Sequence, residues 1–109
     1  MYTEGLNFEV LYRFQNHAGF DGTIVGQIGG GYHIEFTRSR NHFVKPTPTP
    51  EDLLVFYVPS EPEWLTVCSK MRVAGFQEVK SYNPYWDQRA RTFLDQDAYR
   101  VVLHRGIWA

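Results

Sequence analysis

The sequence predicts an α+β fold made of paired βαβββ modules that form a curved mixed sheet, with the first module truncated at its N-terminus. Three observations carry this. Leu53-Leu54-Val55-Phe56-Tyr57-Val58 is apolar throughout, as expected of a strand covered on both faces. A capped amphipathic helix and further strand-like segments follow it. The earlier segments then repeat the later order at matched separations: 24 residues from Phe8 to Tyr32 and 23 from Phe76 to Tyr99.

Each element has a local cause. Gly5 reads as a helix stop. Phe8 to Phe14 is strand-like, Asn16 to Gly22 turn-like, and Thr23 to Gln27 a short strand. Gly29-Gly30-Gly31 is a tight turn; it lacks the Lys and hydroxyl residue of a phosphate cradle. Tyr32 to Thr37 closes the first module, residues 1–37. Residues 38–52 are polar, carry Pro46, Pro48 and Pro50, and form a linker. The second module, 53–109, opens with the apolar strand, which Pro59 ends. Ser60 and Glu63 make a capping box, Pro62 suits the first turn, and Trp64, Leu65, Cys68 and Met71 recur at helical spacing. Gly75 marks the stop. Phe76 to Tyr82 is a strand, Asn83-Pro84 a turn, Arg91 to Leu94 a strand, and Tyr99 to His104 the last.

With 109 residues the chain suits one domain. Eleven basic and 12 acidic residues leave a net charge of -1, which gives no footprint for a nucleic-acid backbone. Arg38, Arg40, His42 and Lys45 cluster beside the proline run and read as a solvated loop. Cys68, the single cysteine, excludes an intramolecular disulfide and reads as a buried structural thiol. No apolar run is long enough to cross a membrane and no secretory leader is evident, so the cytoplasm is the expected compartment.

Several segments, in order, resemble those of the vicinal oxygen chelate superfamily, the group of glyoxalase I, bleomycin-resistance proteins and extradiol dioxygenases. Tyr2-Thr3-Glu4-Gly5-Leu6-Asn7-Phe8 resembles its first helix exit, Tyr32 to Phe36 its fourth strand and Leu54 to Pro59 its fifth. Ala74-Gly75-Phe76 resembles its second helix exit, and Asp95-Gln96-Asp97-Ala98-Tyr99 its last turn. Gln96 stands where the family usually has Pro, and Ala98 where it usually has Gly, which a positive φ would favour.

The resemblance implies a divalent cation held by four inward side chains and acting on substrate oxygens as a Lewis acid. Glu35 matches one ligand position. Leu53 and Val102 stand where His and Glu would be, and the fourth position falls before this sequence. No cofactor is therefore expected, with a divalent metal as the alternative. Strand alternation puts His33, Glu35 and Thr37, then Arg100, Val102 and His104, with Leu53, Val55 and Tyr57, on the concave side. His33, Glu35 and His104 could improvise a metal site, but a Glu35–Arg100 ion pair is the expectation. Tyr82, Tyr85 and Trp86 read either as a packed turn or as a stacking wall for a planar or cationic ligand. Trp108 could cap the sheet or join a dimer contact.

The second module has a strand and a helix before Gly75, whereas only Met1 to Glu4 precede Gly5. An uncovered sheet edge invites pairing, so a homodimer is expected. Three functions follow. The first is a metal-free small-molecule binder, as in the drug-resistance branch, using His33, Glu35, Tyr57, Tyr85, Trp86, Arg100 and His104. The second is a metal-dependent lyase, isomerase or dioxygenase. The third is a non-catalytic structural or interaction domain.

Overall fold

Helix and strand boundaries follow the local chemistry. The computed structural model describes residues 1–107; Trp108, expected to cap the sheet or meet a partner, lies outside them. Helix α1 spans Tyr2–Leu6, and the strands β1 Glu9–His17, β2 Phe20–Gly26 and β3 His33–Ser39 follow. After the linker come β4 Leu53–Tyr57, α2 Glu61–Val73, β5 Gln77–Val79, a 3-10 turn Pro84–Asp87, β6 Ala90–Leu94 and β7 Arg100–His104. Ser60 caps α2 as expected: its Oγ accepts from the Glu63 N–H at 3.4 Å.

The strands form two sheets. One has the order β1-β2-β3 and is antiparallel; the other has the order β4-β7-β6-β5, with β4 parallel to β7. The pairs β1/β5, β2/β6 and β3/β7 therefore occupy equivalent places, as the repeat predicted. Among the described residues, no strand lies beside β3 as β4 lies beside β7.

The two helix exits are built alike. The Phe8 N–H donates to Thr3 O at 3.1 Å, and the Phe76 N–H to Met71 O at 3.0 Å, each reaching five residues back. The residue before each phenylalanine is left-handed, Asn7 at φ 57° and Gly75 at φ 98°. Asn7, not Gly5, thus ends α1. Gly5 is buried inside the helix instead, because a Cβ there would lie 2.8 Å from Met71 Sδ and 3.0 Å from Phe76 Cε1. The missing Cβ lets the two helices approach. Ala98 adopts φ 67° in the last turn, so this chain carries there a conformation that costs alanine more than glycine.

The core lies between the helices and the second sheet, with Trp64, Cys68, Met71, Phe93, Val101 and Leu103 at its centre. Trp64 donates its Nε1–H to Leu103 O at 2.8 Å, which pins α2 to β7. Phe8 and Val25 carry the first module into the same cluster. Two expectations need correction. The apolar run β4 is an edge strand, and Leu54 and Tyr57 are exposed, because among the described residues no strand pairs with its outer flank. The strand expected over Phe76 to Tyr82 shortens to three residues, since Asn83-Pro84 opens a 3-10 turn that doubles back. The basic cluster is partly neutralised: Asp21 pairs with Arg40 at 2.8 Å and Arg38 at 3.6 Å.

Candidate functional site

Side chains on β7 alternate between the helices and the concave face. Val101 and Leu103 enter the core, so Arg100, Val102 and His104 point the other way. Register extends that face: Leu53, Val55 and Tyr57 pair with Arg100, Val102 and His104, while Leu94, Thr92 and Ala90 flank them on the far side. The expected parity is therefore the observed one for β4 and β7.

The turn Pro84–Asp87 folds over this face. The Asn83 side chain accepts from the Tyr85 N–H at 3.1 Å, and Asp87 accepts from the Ser81 N–H at 3.0 Å. These contacts hold the Trp86 indole over the sheet, 6.2 Å from the His104 ring and edge-on to it. Tyr57 meets His104 from β4 at 5.1 Å, and Tyr85 stacks edge-on against Trp86 at 5.1 Å. A cleft of about 410 Å³ opens beside the indole, lined by Leu53, Ser81, Tyr82, Thr92, Trp86 and Arg100 among others. Small-molecule sites commonly combine such apolar walls with a few polar groups.

Among the described residues, two polar atoms on this face are sealed without a partner: Arg100 Nη1 and His104 Nδ1. Burial, followed by the nearby Arg89 and Arg105 charges, pushes the His104 pKa below the ordinary imidazole range. Ser81 Oγ and Thr92 Oγ1 share a buried hydrogen bond of 2.6 Å at the cleft floor.

The structure brings together Tyr57, Tyr85, Trp86 and His104, with Arg100 on the same face. His33 and Glu35 are exposed on β3, in the other sheet. The expected Glu35–Arg100 ion pair is not formed among the described residues, because β3 and β7 belong to separate sheets with no strand joining them. Ser81 and Thr92 went unnoticed in the sequence. Thr92 was legible in principle from alternation along β6; Ser81 follows the end of β5 and carries no periodic signal.

The fold family's four-ligand centre does not fit these residues. Val102 is fully buried and Leu53 half-buried on the inner face, and neither has a lone pair to donate. His33, Glu35 and His104 do not gather, and among the described residues no three His, Cys, Asp or Glu side chains converge on one point.

A second hollow of about 690 Å³ lies along the open edge of β4, between α2 and the first module. Phe8, Tyr32 and Phe56 line it, with ring centroids 6.0–6.3 Å apart. Sequence reasoning missed it, because it exists only where the two modules meet.

Comparison with known proteins agrees with this architecture. Residues 1–37 match the family model of the YycE-like N-terminal domain, and residues 51–105 that of the YycE-like C-terminal domain. The chain is 42% identical over 102 residues to the uncharacterized protein YycE of Bacillus subtilis (strain 168), covering 94% of this chain and 73% of that one. A crystal structure of a Bacillus subtilis YycE protein of unknown function superposes with a TM-score of 0.88. It is 39% identical, covers 99% of this chain and 79% of its own, and is provisionally described as a glyoxalase/fosfomycin resistance protein. FosX, a genomically encoded fosfomycin resistance protein from Listeria monocytogenes, shares the fold at a TM-score of 0.69 and 15% identity, over 97% of this chain and 80% of its own.

Proposed function

The chain belongs to the YycE-like family and has the vicinal oxygen chelate fold, and from that premise we propose that it binds a small planar organic molecule in the cleft beside Trp86, without metal chemistry. The observation that carries this reading is the placement of an indole over an inner face on which Leu53 and Val102, at positions where the resemblance implies cation donors, are hydrocarbon. The likeness to a protein provisionally described as a glyoxalase/fosfomycin resistance protein adds drug-like molecules, and their sequestration, to the candidates. Ring stacking on Trp86 and apolar burial supply the affinity; Ser81, Thr92 and Arg100 orient the ligand.

A panel of fused-ring compounds is expected to raise the thermal midpoint, since ligands that bind only the folded state stabilise it. Trp86→Ala is expected to weaken binding by about tenfold or more, the scale of one lost aromatic contact with its buried area. Added Zn²⁺, Ni²⁺ or Mn²⁺ should change neither the midpoint nor the affinity. A stoichiometric ion required for binding would replace this reading with the metal-dependent lyase, isomerase or dioxygenase, and no shift across the panel would leave a structural or interaction domain.

The first sheet supports a homodimer. Val10, Leu11, Tyr12 and Phe20 are all exposed, so apolar side chains stand uncovered on the first two strands. Light scattering on purified protein should give about twice the monomer mass; a monomer across the micromolar range would refute the dimer. Cys68, buried and with its thiol pushed up to about 11 by desolvation, is a poor nucleophile and suits the cytoplasm we assign.

A further inference from the structure

Resting on the reading of the Trp86 cleft as a binding site, we propose that its ligand is an aromatic monocarboxylate, the ring lying against Trp86 and the carboxylate on Arg100. Arg100 sits on the cleft wall with its charge unmet. Its Nη1 is sealed from solvent without a hydrogen-bond partner, and among the described residues no carboxylate lies within ion-pair distance of its guanidinium. A half-buried guanidinium without a counter-charge is costly, and an arriving anion relieves that cost.

The surrounding charges select the side and the valence. Arg100 also borders a hollow of about 610 Å³; Glu51 lines both hollows, but Asp52, Asp95 and Asp97 line this one alone and would repel an anion there more strongly. The Trp86 cleft has Arg100 and Glu51 as its charged lining groups. One guanidinium matches the single charge of one carboxylate, whereas a dianionic phosphate would need further cations that this lining lacks. Leu53 and Trp86 supply the apolar surface for a ring, and Ser81, Thr92 and Asn83 supply neutral polar contacts.

Calorimetric titration of the intact protein with 2-naphthoate and its neutral isostere 2-naphthamide at pH 7 separates the two layers of this account. The naphthoate is expected to bind at least tenfold more tightly, and Arg100→Gln to abolish that preference while Arg100→Lys keeps part of it. Equal binding of the two compounds overturns the carboxylate assignment and leaves ring binding intact. A preference that survives in Arg100→Gln overturns the role of Arg100. Binding of neither compound overturns both layers. Should Arg100→Gln fail to fold, the naphthoate–naphthamide ratio on the native protein decides by itself.

Discussion

Truncating Phe93 to alanine is expected to lower the unfolding free energy by about 3–5 kcal/mol, the cost of a lost aromatic side chain and the cavity it leaves. Phe93 is fully buried, pairs with Val101 across β6 and β7, and belongs to the cluster that joins both modules. Such a loss is a large share of the roughly 5–15 kcal/mol that holds a domain folded. The thermal midpoint should fall by about 4–8 °C per kcal/mol in a domain of this size. Phe43→Ala is the control. That ring is 90% exposed, and its removal should cost no more than about 0.5 kcal/mol. Similar losses for the two variants in chemical denaturation would contradict the core described above.

The second large effect is expected from Val102→Glu, which restores the carboxylate that the resemblance places at this position. Val102 is fully buried on the inner face and pairs with Thr92 across the ladder. A charge introduced there should cost about 3–5 kcal/mol at pH 7. The pH dependence has a definite sign. Burial disfavours the charged form, so the folded carboxyl titrates above its unfolded value. Below the unfolded value both states are protonated and the ionisation penalty vanishes. As pH rises from there, the unfolded chain releases its proton first, and the penalty grows until the folded carboxyl also ionises. Measured against the neutral Val102→Gln, the extra loss should therefore widen between about pH 4 and pH 7. Added zinc should not rescue the variant. Rescue by zinc would mean that other donors do converge on this point. A cost below about 1 kcal/mol would mean that Arg100, two residues back on the same face, reaches the new carboxylate.

Much of the fold is local and was legible for that reason. Ser60 and Pro62 announce the start of α2 through backbone groups within four residues. Gly75 announces its end through a dihedral that only the residue itself decides. The duplication was visible because equivalent caps and strands need similar residues at similar intervals. Misplacing the first stop at Gly5 shows where that logic fails: glycine can serve a turn or a close helix approach, and only the Met71 and Phe76 contacts reveal which.

The candidate site divides along the same line. Alternation along β7 was enough to put Arg100, Val102 and His104 on one face. The ladder to β4 then brought Tyr57 to His104. Whether Glu35 would meet Arg100 depended on how two sheets sit against each other, and no periodicity within either strand encodes that distance.

From the sequence by itself came the two related modules, the capped helix and the inner-face residues of β4 and β7, because each rests on residue chemistry or on spacing within one element. Only the tertiary structure decided that β4 is an edge, that Trp86 lies over the inner face, and that Arg100 has no counter-charge among the described residues while His33 and Glu35 stand apart. Those outcomes depend on contacts between residues far apart in the chain, where distance in space is unrelated to distance in sequence.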